Sequence, residues 1–247
     1  MYLFNKVEQV KHLPIGFGDI ARYVIVPGDP NRVPLISELL EDVEHQGRNR
    51  EFNAARGSYK GVQVSVVSTG IGCPSTAIAV EELIYIGAEV FIRIGTSGSV
   101  DGTAEKGDIF IATAAVRDDG TSKQYIPVEF PALANVEVVD SLIKASEKLS
   151  FNSKVGICQS KDSFFGETEP SRMPVSDYLD SKWKAWQGGS VGASEMEAAT
   201  LFTLSSIYNV AAGAILALET SDEETIKNMT SIVLESIYHM EKERNNE

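Results

Sequence analysis

Arg93 stands between Ile92 and Ile94 in an apolar run, where an unpaired cation would cost several kcal/mol. Its charge therefore needs an anion. A second arginine, Arg32, follows the turn Pro27-Gly28-Asp29-Pro30-Asn31, and Thr96 lies three residues beyond Arg93. Guanidinium forks and the backbone N–H groups of Gly28 and Gly95 can enclose a single inorganic anion. A lone buried arginine reads as half of a structural ion pair. Two arginines and a threonine at neighbouring strand ends read instead as a phosphate site. Another constellation is Ser194-Glu195-Met196-Glu197. As an S-x-x-E pattern it is a capping box, with Glu197 capping the helix that follows. A carboxylate there could also accept two hydrogen bonds from a vicinal diol. Spacing alone favours the cap, and Ser221-Asp222-Glu223-Glu224 repeats the pattern.

Other chemistries find less to build on. Gly70-Ile71-Gly72-Cys73-Pro74-Ser75 begins like a dinucleotide fingerprint, but Ser75 stands where the third glycine belongs. No aspartate follows at the ~20-residue spacing of a ribose-binding carboxylate. There is no Walker A sequence either, so NAD and ATP are disfavoured. Cys73 and Cys158 with His12, His45 and His239 show no zinc-ligand spacing.

The elements that must position these residues are short apolar runs ending near glycine, alternating with helix-like segments. The runs are 23–26, 62–68, 90–94, 108–116, 155–159 and 211–218. The helical candidates are 33–41, 75–86, 136–149, 195–207 and 223–242. Val/Ile-rich strands alternating with helices predict an α/β fold. The expected architecture is a three-layer sandwich, its mostly parallel (mixed) central sheet flanked by helices. No linker or repeat divides the chain, so a single domain over 1–247 is expected. In such sheets ligands sit beyond the carboxyl ends of the strands, where the glycine turns fall.

The 247 residues hold 22 Lys+Arg against 35 Asp+Glu, a net charge of −13. Nucleic acid and anionic membranes are excluded as partners, because both need clustered cations. Any phosphate must be met by a few placed arginines. The most apolar stretch, Val210 to Leu218, is far short of the ~20 residues a membrane helix needs. Met1 to His12 offers no signal-peptide core. A cytoplasmic, reducing setting is the expectation.

Taken together, Pro27-Gly-Asp-Pro-Asn-Arg32, Ser68-Thr-Gly-Ile-Gly72, Arg93-Ile-Gly-Thr96 and Glu195-Met-Glu-Ala-Ala-Thr200 resemble the nucleoside phosphorylase family. Gln124-Tyr-Ile-Pro-Val-Glu-Phe-Pro-Ala132 resembles its uridine phosphorylase branch. The resemblance implies reversible phosphorolysis of a nucleoside, with inorganic phosphate as co-substrate and no cofactor required. It implies that Gly28, Arg32, Arg93 and Thr96 hold phosphate, joined by Arg50 lent from a neighbouring subunit. Met196 and Glu197 match the ribose-binding pair, which overrides the capping preference, with Thr96 beside them. His12 matches a histidine reaching the 5′ hydroxyl across a homodimer, and dimers assemble into hexamers in this picture. Glu51, Ile71 and Ser75 match positions that cage K+ or Na+ at the dimer interface in some members.

The base end departs from the pattern. Asp162-Ser-Phe-Phe-Gly166 matches the family loop and places Phe164 to stack on the base. A glutamine and an arginine would then read a uracil edge, but Glu167 follows the glycine and the nearest arginine is Arg172. An ionised glutamate can only accept hydrogen bonds. Either Arg172 neutralises it, or it is held protonated, or it points to solvent, or the substrate is not ordinary uridine. A purine phosphorylase would instead use Asp222, in a Ser-Asp pair after the penultimate strand. The connection to the last helix is short, so the flap over the base is expected to be missing. A non-catalytic nucleoside-binding protein on the same fold is the alternative outside enzymology.

Overall fold

The computed structural model describes residues 10–245. Residues 1–9, most of the segment read for a leader, lie outside the described residues, as do the last two of the expected domain. The order is β1 (Tyr23–Pro27), α1 (Arg32–Ser37), β2 (Glu41–Asn49), β3 (Phe52–Tyr59), β4 (Val62–Val67) and α2 (Cys73–Tyr85). Then come β5 (Val90–Ser99), β6 (Ile109–Asp118), α3 (Ser122–Tyr125), β7 (Ala132–Leu133), α4 (Val136–Lys148) and β8 (Ser153–Lys161). The chain continues through α5 (Phe164–Thr168), α6 (Ser176–Gly188), β9 (Val191–Glu195), α7 (Ala198–Tyr208), β10 (Ala211–Leu218) and α8 (Glu223–Arg244).

Among the described residues the strands form one sheet, ordered β10-β6-β8-β9-β5-β1-β4-β3-β2, with β7 on β6. Pairing is parallel at the centre, where β1 joins β4 and β5 and β5 joins β10. It is antiparallel in the β2–β3–β4 wing. This is the mixed α/β sheet the sequence predicts. The structure adds a closure: because β10 pairs with both β5 and β6, the strands β5, β10, β6, β8 and β9 form a ring.

β1 is buried along its whole length, and its side chains alternate between the two faces with the period of a strand. Val24 and Val26 join Leu83, Leu201 and Phe202 of α2 and α7 on one face. Tyr23 and Ile25 join Ile36, Leu142 and Ile232 of α1, α4 and α8 on the other. Each such fully buried aliphatic or phenyl side chain contributes about 1.5–3 kcal/mol.

Three departures from the sequence expectations bear on function. β5 does not end in a turn after Ile94. Gly95, Thr96 and Ser97 stay extended opposite Leu216, Ala217 and Leu218, and Gly98 faces Ser194. The helix expected from Glu195 starts at Ala198, because Ser194 and Glu195 pair with Gln159 and Ser160 of β8. In α8 the N-cap is Asp222 rather than Ser221, its carboxylate accepting from Thr225 N–H at 2.8 Å.

Candidate active site

A cavity of about 1190 Å³ opens at the carboxyl ends of β1, β5, β8, β9 and β10. It is lined by Gly28, Arg32, Arg93, Thr96, Met196 and Glu197, and also by Glu51, Ile71, Ser75, Phe164 and Glu167. The structure thus gathers eleven of the sequence-predicted residues into one cavity. His12, Arg50, Arg172 and Asp222 are not among its lining residues.

Its floor is a buried charge cluster. Arg93, opposite Val26 of β1 and Ala214 of β10, is 4% exposed. Its Nε donates to Glu195 Oε2 at 2.9 Å, and its Nη2 meets Glu197 Oε2. Among the described residues its Nη1 is buried with no hydrogen-bond partner, and it lies beside Gly28, where an added Cβ would stand 3.7 Å from it. Position 95 must be glycine for this fold-back, since a Cβ there would lie 2.7 Å from Arg93 Nη2. Burial disfavours the charge on Arg93, but Glu197 and Glu195 outweigh it and raise its pKa. Arg32, at the start of α1, has its pKa lowered by burial first, with Arg93 adding repulsion and Asp29 opposing both. A buried guanidinium with a donor to spare and a second cation nearby is an arrangement that favours an anion.

Glu197 is the N-cap residue of α7 by position, yet its side chain makes no cap hydrogen bond. Oε1 instead accepts from Gly72 N–H at 2.5 Å, across the chain from α7. The capping work falls to Glu195, whose carboxylate accepts from the N–H groups of Glu197 and Ala198 at 2.8 and 3.0 Å. In the sequence Glu195 is simply the first residue of Glu195-Met-Glu-Ala-Ala-Thr200, with nothing to mark it as the cap. Burial raises the Glu197 pKa, Arg93 pulls it back, and the nearby Glu195 charge pushes it up again, leaving it above the ordinary value.

A different kind of wall closes the other end. Phe164 and Phe165 are 53% and 57% exposed, packed edge to face with centroids 5.4 Å apart. Behind them Glu167 Oε1 pairs with Lys161 Nζ at 2.7 Å and meets Ser194 Oγ at 2.5 Å. Arg172 is elsewhere: it pairs with Glu169 and lies over the Phe165 ring, 5.9 Å from its centroid. The counter-ion of Glu167 is therefore Lys161, which proximity in sequence did not suggest. Only the strand pairing brings the end of β8 beside Ser194.

Asp222 caps α8 and is bonded to Thr220 Oγ1 as well as to the Thr225 amide, and its pKa is pushed down to about 2. It is a solvent-facing carboxylate held ionised by hydrogen bonds, not an acid aimed at a ligand. From the same connection Glu219, Thr220 and Ser221 do line the cavity.

His12 and Arg50 belong to two segments joined through Asn49. His12 Nδ1 lies 2.6 Å from Glu82 Oε1, and Asn49 Nδ2 donates to the His12 carbonyl at 2.8 Å. Arg50 is exposed on the β2–β3 turn at φ 55°. Next to it, Glu51 Oε1 accepts from Ser75 Oγ at 2.8 Å. Gly70, at φ +74°, leaves no room for a Cβ between them, with Glu51 Cγ and Ser75 Oγ each 2.6 Å from where one would sit. Glu51 Oε1, Ser75 Oγ and a backbone carbonyl such as that of Ile71 are oxygen donors of the type a hard cation takes.

A cavity with an anion-seeking floor and a carboxylate beside it suits a small molecule that brings an anion and neighbouring hydroxyls together. The class is that of α/β proteins binding ligands at strand ends. Residues 22–244 match the Phosphorylase superfamily, and the chain belongs to that family. It is 46% identical over 217 residues to the uridine phosphorylase of Thermococcus kodakarensis, covering 84% of this chain and 76% of that one. It is 46% identical over 216 residues to the uridine phosphorylase of Treponema pallidum, covering 87% and 84%. It is also 40% identical over 208 residues to the guanosine phosphorylase of Halorubrum lacusprofundi, covering 84% and 82%. No helix of the described residues is long and apolar enough to cross a membrane.

Proposed function

We propose that this protein catalyses the reversible phosphorolysis of uridine, giving uracil and ribose 1-phosphate, in cytoplasmic nucleoside salvage. The observation that carries the reading is the buried Arg93 Nη1 beside Gly28, without a partner among the described residues, on the guanidinium that also holds Glu197. The names of the relatives, uridine phosphorylase for two of the three, support the pyrimidine substrate.

In this reading Arg93, Arg32, Thr96 and the Gly28 amide hold phosphate beneath the anomeric carbon. Glu197, with Met196 beside it, accepts the 2′ and 3′ hydroxyls. As the C1′–N bond breaks, its electron pair leaves with the base and positive charge grows on the sugar. The phosphate dianion stabilises that charge and then forms the C1′–O bond, while its proton ends on the released uracil. Fixing the nucleophile and the sugar together supplies much of the rate. Arg50 and His12, neither of which lines the cavity, serve the site of a neighbouring copy in a homodimer, or in a hexamer of dimers. Glu51, Ile71 and Ser75 from two copies would complete a shell for K+ or Na+ at that interface, where the ion would tie the copies together.

The guanosine phosphorylase relative makes a purine nucleoside the second reading. Asp222, bonded within its cap, lends it no acid. Phosphorus NMR of the protein with uridine and phosphate tests the proposal. Ribose 1-phosphate should appear mole for mole with uracil. In Arg32→Ala the KM for phosphate should rise at least about 10-fold for the loss of one charge-assisted contact. Uracil without ribose 1-phosphate would mean hydrolysis, and no reaction at all would mean a binding protein.

A further inference from the structure

A second cavity, of about 410 Å³, lies at the other end of the sheet. Its walls are Arg22, just before β1, the Lys60-Gly61 turn between β3 and β4, and the last turns of α8. It opens at the amino ends of β1 and β4 and shares no lining residue with the cavity at the carboxyl ends. Its charge runs against that of the chain. In a protein of net charge −13, Arg22, Lys60, Lys242 and Arg244 line it against one carboxylate, Glu241. That carboxylate is already engaged. Its Oε2 accepts from Tyr23 OH and Arg244 Nε, each at 2.9 Å, and its Oε1 from Arg244 Nη2 at 2.6 Å. Arg22 Nη1 pairs with Glu89 at 2.7 Å and Lys60 with Glu235 at 2.6 Å. Two cationic donors remain. Among the described residues Arg22 Nε is buried without a hydrogen-bond partner, and Lys242 meets only the Tyr238 ring, 5.3 Å from its centroid. Lys60 Nζ lies over the same ring at 5.0 Å. Two ammonium groups thus share one ring, a pair of like charges that an anion would bridge.

We propose that this cavity is a second binding site, taking the phosphate monoester of a sugar-sized alcohol on Lys60, Lys242 and Arg22. It stands apart from the catalytic cavity and does not depend on the phosphorolysis reading. A phosphate monoester brings nearly two negative charges and three terminal oxygens, enough to meet two ammoniums and a guanidinium at once. A carboxylate brings one charge and two oxygens, and would leave one of the three cations unmet. The volume falls within the roughly 300–1,000 Å³ of small-molecule sites and is far more than a bare phosphate ion fills. Room is left for the alcohol half of the ester, beside which Gln63 and Asn245 present amide groups suited to hydroxyls. The ligand would join the last turns of α8 to the β3–β4 turn and the start of β1.

Calorimetry with ribose 5-phosphate tests this, with ribose and inorganic phosphate as the comparison ligands. The part of each isotherm that disappears in the double variant Lys60→Gln/Lys242→Gln reports this cavity. For that part, ribose 5-phosphate should bind and ribose should give no heat. The double variant should lose at least about 10-fold in affinity, because two charge-assisted contacts go. Lys242→Gln alone breaks no ion pair among the described residues and should show a smaller loss of the same kind. Arg32→Ala, altered only in the other cavity, should keep this part of the isotherm. The lysine variants should release uracil from uridine at the wild-type rate, since neither lysine lines the catalytic cavity. An isotherm unchanged in the double variant, or lost in Arg32→Ala instead, would place the ligand in the catalytic cavity and overturn the proposal. No binding at millimolar ribose 5-phosphate would overturn it too. Inorganic phosphate bound here as tightly as ribose 5-phosphate would reduce the cavity to a bare ion site and defeat the ester.

Discussion

The two ends of the cavity are built on different principles. At the phosphate and ribose end, Arg93, Glu195 and Glu197 are 4%, 3% and 4% exposed and are cross-bonded between β5, β9 and the start of α7. Their positions follow from strand register, so nothing can move without breaking the sheet. At the base end, Phe164 and Phe165 lie open on a five-residue helix after β8, and only Lys161, Ser194 and Glu167 behind them are fixed. The rigid end suits what every substrate of the reaction shares, a phosphate and a pentose. The open end suits what differs between substrates, the base. Rigidity is concentrated where charge must be held against burial, and tolerance is left where the ligand varies.

Breaking the rigid end should have the largest effect. In the proposed reading Glu197→Ala removes two charge-assisted hydrogen bonds to the sugar, each about 1.5–3 kcal/mol, so kcat/KM for uridine should fall about 10³-fold in steady-state kinetics. The sedimentation profile should be unchanged. Second comes Glu195→Gln, which strips a buried charge from Arg93 and should cost about 100-fold in kcat/KM. Its sharper signature is pH. In the proposed reading Glu197 must be ionised to accept the hydroxyls, and its pKa is raised by burial and by Glu195. Activity is therefore present above that raised value and is lost as pH falls through it. Removing the Glu195 charge should move the acid limb of the pH–rate profile to lower pH. The stability contribution of Glu197 runs the other way, present at low pH and lost as pH rises through the same value.

The open end should give smaller, softer effects. Phe164→Ala removes one stacking face worth about 1–3 kcal/mol, which should appear as a roughly tenfold rise in KM for the nucleoside at nearly constant kcat. Asp222→Ala should change turnover less than about twofold while lowering Tm slightly, because the residue caps α8 and does not line the cavity. A large loss of inosine cleavage in that variant would instead restore Asp222 as a purine acid.

The same contrast decided what could be read from the amino-acid order. Arg93 was legible because an arginine inside Ile92-Arg93-Ile94 has few alternatives. Glu197 was ambiguous, since S-x-x-E serves a helix start equally well, and only the fold shows Glu195 taking the capping bonds. Lys161 was invisible, because a lysine ending a strand ordinarily reaches water, and its burial depends on β9 returning alongside β8. Arg172 drew attention through nearness in sequence, yet the turn between them points it at Glu169. β2 was missed because its residues are mostly polar and exposed, with no alternation to mark a strand. The ring closure was hidden because a strand run does not declare how many neighbours it takes.

The central claim is that an anion held at Arg93 and Arg32 attacks the nucleoside. It is tested most directly by following uracil release from uridine by ultraviolet absorbance while phosphate is titrated up from zero. The account predicts no release without phosphate and a hyperbolic rise to saturation as phosphate is added. Release at the same rate in phosphate-free buffer would contradict it, making water the nucleophile and the arginine floor a structural feature.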